Sequence, residues 1–420
     1  MKRRLDSGLD VSRLLVLAMS IVAASSASGT ETAILVSPTA SINAELAYGA
    51  DVSGTDVVIG APGETSTAGA VYTFDCATLP CGAPARFAPV DLAANDAFGT
   101  AVSISGDTFA ASAPGPEPGA VYVYVRSGSN WTQQARLTAS GGSTGEHFGA
   151  AIALSGDRLA VGADDANNHA GVVYVFVRTG TAWVQEARIT AADPVARDAL
   201  GASVALDGDT LVAGAPLKRN GSVSHYANGV AYVFVRNGSS WSQQAKLVPA
   251  SVEDGALFGF SVDIAGDRAI VGSPYAALAQ GTAYVFARSG TAWSQQSQLN
   301  APAAAAGDQF GWSVALGDDK ILIGAPFAGQ LAEAACGASY LFDAGASMPS
   351  PGSAIEQPLP NQLAGWSVAM SGSRWVSSAP GYEIGDVEHA GAAYWFDATV
   401  TIFRSGFDVL ATCTGAKRSG

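Results

Sequence analysis

Apolar and polar residues alternate in short runs along most of this chain. Between residues 148 and 189 the runs read as four strands, "AAIAL", "RLAVGA", "GVVYVFVR" and "WVQEARIT". The dipeptide "SG" joins the first two and "TGTA" the last two. Short runs rich in β-branched and aromatic residues, bounded by glycine, are strand and hairpin signals. In the third run Val172, Tyr174 and Phe176 alternate with Val173, Val175 and Val177, so both faces are apolar. Such a strand belongs to a sheet covered on both sides. The first two runs are rich in alanine, glycine and serine, which suits close approach near a crowded axis. The aromatic residues come later, where more volume must be filled.

The pattern recurs along the chain. Gly-x-x-Tyr followed by an aromatic two residues later occurs at Tyr72, Tyr122, Tyr174, Tyr232, Tyr284, Tyr340 and Tyr394. Upstream of each lies a triplet: "GAP" at 60–62, 214–216 and 324–326, "SAP" at 112–114 and 378–380, "GAD" at 162–164, "GSP" at 272–274. Most units open with "FG", at Phe98, Phe148, Phe258 and Phe310, varied at Tyr48, Leu200 and Ala364. Three markers in one order, seven times over, predict an all-β chain of seven four-stranded antiparallel blades, a seven-bladed β-propeller. The propeller is expected to span 31–400, with blades starting near 48, 98, 148, 200, 258, 310 and 364, and 401–420 to form a C-terminal tail. "ETAILVSPTA" (31–40) is similar to the fourth strands "QQARLTASGG" and "QQAKLVPASV". It is therefore expected to supply the outer strand of blade seven and close the ring; "TVTIF" (399–403) is the competing segment.

The order "FG…SVAL", "GAP", "G-x-V-Y-V-F" resembles the FG-GAP repeat, the unit of the integrin α-subunit propeller and of many bacterial secreted proteins. "W-x-Q-Q" in the fourth strands (Trp131, Trp241, Trp293, and Trp183 with Gln-Glu) looks most like the bacterial subtype. The resemblance implies a secreted or surface protein that binds or adheres. It also implies a calcium loop, Asp-x-Asp-x-Asp-Gly, between the first and second strands. This chain has "SISGDTF", "ALSGDRL", "ALDGDTL" and similar turns there. Calcium takes six to eight oxygens, and so short a turn cannot supply them. The repeated aspartate (Asp107, Asp157, Asp209, Asp267, Asp319) is expected to cap the turn or sit beside a backbone amide. No cofactor is expected, with calcium the alternative left open although the inner turns lack the Asp-x-Asp-x-Asp-Gly cage.

Charge narrows the partners. The net charge is −14 without a basic stripe, which argues against nucleic acid and anionic membranes. Lys2, Arg3, Arg4 and Arg13 precede an apolar run from Leu14 to Ala24, then Ser25-Ser26-Ala27. Residues 1–27 therefore read as a signal peptide, too short in its apolar run to span a bilayer. The expectation is a monomeric exported chain, secreted, periplasmic or on the cell surface, with no transmembrane segment. The four cysteines suit an oxidising compartment, with Cys76–Cys81 and Cys336–Cys413 the candidate disulfides.

Hairpin turns alternate between the two ends of a propeller. Short "SGD" and "RSGSN" turns share one end. The loops after "GAP" and before "FG" share the other, and their lengths vary. Variable loops on a rigid scaffold mark a binding face. The candidate residues are Asp164, Asp165, His169, His225, Tyr226, Tyr275, Tyr382 and His389, with "ADDANNHAG" the best single metal candidate. "GGSTG" (141–145) matches the hydrolase elbow formally, but a strand rather than a helix follows it, so Ser143 reads as a loop serine. The tryptophans read as blade packing in preference to sugar platforms. The expected function is non-catalytic binding of a protein or carbohydrate ligand. The alternative is an extracellular polysaccharide hydrolase or lyase using the same face.

Overall fold

The structure is a computed structural model describing residues 33–39, 41–115, 118–142, 145–220, 227–251, 253–302, 304–329, 335–343, 354–356 and 361–397. Blade three shows how the sequence becomes a blade. Its strands are Phe148–Ser155, Arg158–Ala163, Val172–Thr179 and Ala182–Ile189, paired antiparallel in chain order. Seven such four-stranded sheets form the ring. The innermost strands follow one another around the axis, and Val368–Ser371 of blade seven returns to Ala50–Ser53 of blade one.

In blade seven the outer strand is Ala33–Leu35, paired with Ala392–Asp397 through Ile34↔Tyr394. The N-terminal segment thus closes the ring. The competing 399–403 segment, the expected signal peptide 1–27 and the expected tail 401–420 lie outside the described residues. A covalent loop ties Cys76 to Cys81. Cys336 is also disulfide-bonded, while Cys413 lies outside the described residues.

Two turn readings need correction. Ser155 pairs with Arg158, so the inner turn is Gly156-Asp157 and the serine still belongs to the strand. Likewise Thr179 pairs with Ala182, which leaves Gly180-Thr181 as the outer turn. The left-handed glycine, φ 56° at Gly156 and 64° at Gly180, comes first in each turn. That conformation matches the right-handed strand twist. The sequence pattern also missed three short helical turns after the "GAP" triplets, Glu64–Thr67, Ala166–His169 and Ala276–Ala279. Their central residues are left-handed, so no periodic apolar signal announces them.

The core lies between blades. Val121 and Val123 of blade two pack with Leu159, Val161, Tyr174 and Phe176 of blade three in one buried cluster. Within blade three, Phe148 of the opening "FG" meets Tyr174 edge-on at 5.5 Å. The two signature glycines meet across the blade boundary. A Cβ on Gly60, Gly162, Gly214, Gly272 or Gly324 would lie 1.8–2.1 Å from the carbonyl oxygen of Gly99, Gly201, Gly259, Gly311 or Gly365. Only glycine allows two backbones to approach so closely.

Candidate binding face

The end bearing the short turns is consumed by inter-blade contacts. Gly156 N–H donates to Ser105 Oγ of the preceding blade at 3.1 Å, and Gly208 N–H donates to Ser155 Oγ at 3.1 Å. The step repeats at Gly106 with Ser53 and Gly266 with Asp207, and it crosses the ring closure at Gly54 with Ser371. In "SGD" the serine accepts from the next blade and the glycine supplies the left-handed turn. The aspartate holds an arginine: Arg178 Nε donates to Asp157 Oδ1 at 2.6 Å, and its Nη1 reaches Thr108 Oγ1 of blade two at 2.9 Å. Arg126 and Arg288 repeat this, with Asp107 and Asp56, and with Asp267 and Thr210. The repeated aspartate is thus an inter-blade clamp through arginine rather than a simple turn cap.

The "W-x-Q-Q" motif works the same way. Trp183 Nε1 donates to Gln134 Oε1 of the preceding blade at 2.9 Å, and Trp293 to Gln244 at 2.8 Å. In three of the four motifs the first glutamine accepts an amide of the preceding blade, Ser140 to Gln185, Ala192 to Gln243 and Ala250 to Gln295. In blade three the second glutamine is Glu186. It accepts from Trp241 and receives the Arg236 guanidinium on both oxygens. The half-buried tryptophans also lie under Arg126, Arg178 and Arg288. These contacts assign them to blade packing.

Around the axis two carboxylates stand on innermost strands. Asp51 accepts from the Val52 and Ile104 amides and from Ser103 Oγ. Asp263 accepts from the Ile264 and Leu316 amides. Burial pushes Asp51 up to about 6 and Asp263 up to about 7, despite those hydrogen bonds. The Asp51 charge adds to the shift of Asp263. Both side chains bridge neighbouring blades.

The opposite end carries the unequal loops. Parallel bridges such as Gly69↔Phe98 and Gly171↔Leu200 join each post-triplet loop to the segment opening the next blade. Tyrosine hydroxyls hold the loop bases. Tyr174 donates to buried Glu146 at 2.8 Å and receives Arg188. Tyr232 donates to Asp193 at 2.6 Å. Buried Lys218 donates to Asp198 Oδ2 at 2.7 Å and to the Asp193 carbonyl at 2.6 Å.

The sequence-predicted candidates share this rim but spread over several blades. In "ADDANNHAG" the carboxylates diverge: Asp164 pairs with His147 Nδ1 at 2.8 Å, and Asp165 with His169 Nδ1 at 2.7 Å. Arg188 takes Asn167. The hydrogen bond to Asp164 holds the His147 imidazolium above the usual histidine range. Among the described residues no group of three or more His, Cys, Asp or Glu is placed to share a metal ion. Tyr382 packs half-buried beside the Tyr394 ring at 6.4 Å. His389 is exposed, and its carbonyl accepts the Glu45 amide near the ring closure. His225 and Tyr226 lie outside the described residues.

Tyr275 lies elsewhere on the rim, in a cleft between the loops of blades four and five. The cleft has a volume of about 680 Å³ and is lined by Val195, Arg197, Leu217, Arg219, Leu257 and Tyr275 among others. Of these, sequence reasoning named only Tyr275. A signal was present: Lys218-Arg219 is the one adjacent basic pair between residues 33 and 397 of this acidic chain. What the pair does is a tertiary matter, since Lys218 turns inward and Arg219 stays exposed.

The ring, the interlocked blades and the loop-bearing end define a seven-bladed β-propeller with one structurally occupied face and one available face. Five stretches, 83–124, 131–176, 183–234, 241–286 and 293–342, match the FG-GAP repeat, and together they span more than half of the chain. The chain belongs to the FG-GAP repeat family. The matched stretches 131–176, 183–234, 241–286 and 293–342 each run from the fourth strand of one blade into the third strand of the next. That phase fits the contacts, because the glycine, tryptophan and glutamine contacts all cross a blade boundary. No curated protein matches the chain. Among the described residues no helix is long and apolar enough to cross a membrane. The repeats and the disulfide fit an extracellular protein.

Proposed function

We propose that the protein is an exported, non-catalytic binding module that engages a protein or carbohydrate ligand through the loops after the "GAP" triplets and before the "FG" dipeptides. The observation that carries this reading is the asymmetry of the two ends. At the short-turn end, serine, aspartate, arginine and glycine are used up in holding blades together. At the other end the loops differ from blade to blade and expose Val195, Leu217, Tyr275 and Leu278. Exposed apolar side chains gathered on one rim favour an interaction surface over plain solvated loops.

The experiment is a binding screen of the exported chain against arrayed glycans and extracellular proteins, repeated with the loop at 216–229 exchanged for the shorter 114–119 of blade two. Binding lost on loop exchange, with the fold retained by circular dichroism, is the expected result. Turnover of any polysaccharide by the purified chain would replace this reading with the hydrolase or lyase one.

A further inference from the structure

Every lysine and arginine among the described residues has a side-chain hydrogen bond or ion pair except two. The others include Arg86 with Glu64, Arg136 with Asp91, Arg158 with Asp209, Lys246 with Asp193 and Arg374 with Asp397. The guanidinium groups of Arg197 and Arg219 have none among the described residues, and both residues line the cleft between blades four and five. Two unpaired guanidinium groups on the walls of one cleft repel each other. A carboxylate placed between them would relieve that repulsion and satisfy planar donors suited to it.

The surroundings specify more than an anion. Val195, Leu217, Leu257 and Tyr275 supply apolar walls, and Val195 and Leu217 are 60% and 46% exposed. Leu278, on the same loop as Tyr275, is 86% exposed and extends the apolar surface beyond the cleft. Tyrosine and arginine in an apolar setting are the composition of a protein–protein hot spot. The chain as a whole is strongly acidic, so a polyanionic partner would be repelled. A single carboxylate is attracted locally, within the roughly 8 Å Debye length of physiological salt.

We propose that this cleft receives one carboxylate side chain of a protein partner, flanked by apolar residues that pack on Tyr275, Leu217 and Leu257. The proposal rests on the loop end being the binding face, and it deepens that reading by naming the ligand chemistry. Arg197 and Arg219 would fix the carboxylate, and the apolar walls would exclude water from around it.

The test uses the full exported chain and fluorescein-labelled pentapeptides with a central Asp or Glu flanked by leucine or phenylalanine. The controls are the same peptides with Asn or Gln at the centre, read by fluorescence anisotropy, and an oligouronate as competitor. Acidic peptides should bind saturably, with the amide versions about tenfold weaker or worse. Arg197→Gln and Arg219→Gln should each weaken binding several-fold while leaving the melting temperature unchanged, since neither side chain has a partner to lose among the described residues. Tyr275→Ala should weaken acidic and amide peptides alike. Equal binding of acidic and amide peptides, no binding up to about 1 mM, or affinity surviving the double arginine substitution would overturn the proposal. Oligouronate binding that depends on the same arginines, without peptide binding, would also overturn it. A ligand bound elsewhere on the loop face, indifferent to these variants, would sink the cleft proposal and leave the wider binding function standing.

Discussion

Replacing Gly162 and Gly156 by alanine, one at a time, separates the two reasons this chain uses glycine. Both lie in blade three, six residues apart. At Gly162 the new Cβ would sit 1.9 Å from the Gly201 carbonyl oxygen of the next blade. That is about 1.5 Å inside van der Waals contact. The obstacle is backbone in a close-packed blade junction, so a side-chain rotation cannot relieve it. Overpacking a well-packed interior costs roughly 1–3 kcal/mol and sometimes more. The shortened unfolded-state entropy returns only about 0.4–1 kcal/mol. With the obstacle rigid on both sides, the expected net loss is at the upper end, about 3 kcal/mol. Gly156 is the opposite case. Nothing lies within 4 Å of the position a Cβ would take there, but its φ is 56°. A left-handed alanine costs about 1–2 kcal/mol, so the net loss after the same entropy correction is about 1 kcal/mol. Urea denaturation followed by tryptophan fluorescence, with reversibility checked, measures both. Gly162→Ala losing no more than Gly156→Ala would refute the account of blades interlocked through paired glycines.

Tyr174→Ala should cost about 3–5 kcal/mol, because it empties a fully buried aromatic site; Tyr174→Phe should cost about 1–2 kcal/mol through loss of the donor to Glu146. A loss below about 1 kcal/mol for the alanine variant in the same denaturation assay would mean the packing described for blade three is wrong. Lys218→Ala leaves Asp198 buried without its cation, an expected loss of about 3–5 kcal/mol, checked by the denaturation midpoint at neutral pH. Asp263 gives a pH signature. Its folded pKa, raised chiefly by burial to about 7, lies above the unfolded value near 4. Its contribution to stability is therefore fully present below about pH 4 and lost as pH rises toward and through 7. The stability of Asp263→Asn relative to wild type should rise between pH 4 and pH 8, by an amount on the order of 2–4 kcal/mol; a flat difference across that range would contradict the burial argument. Chelator should leave the melting temperature of the chain nearly unchanged, because the inner turns are two residues long and their aspartates hold arginines; a drop of many degrees would show that a metal supports the fold.

Strand order, blade number and the division into a short-turn end and a long-loop end were all readable along the chain. They follow from local chemistry repeated seven times: alternating apolar residues, turn glycines, and a Gly-x-x-Tyr that recurs in register. Even the closing segment could be chosen by its similarity to other fourth strands, and Ile34 pairs with Tyr394 accordingly. What the repeated polar residues do was not readable, because each acts on a neighbouring blade some fifty residues away. The serine of "SGD" looks like half a turn in sequence and is an acceptor for the next blade in space. The aspartate beside it resembles a remnant of a cation loop, yet it anchors an arginine that reaches back to the preceding blade. The available face was harder still. Lys218 and Arg219 are neighbours of one charge, and only the packing of blade four sends one inward to Asp198 and leaves the other on an apolar cleft. Local periodicity determined the architecture because hydrophobic pattern acts over a few residues. Burial and pairing of charges depend on which blades meet, and only the closed ring decided them.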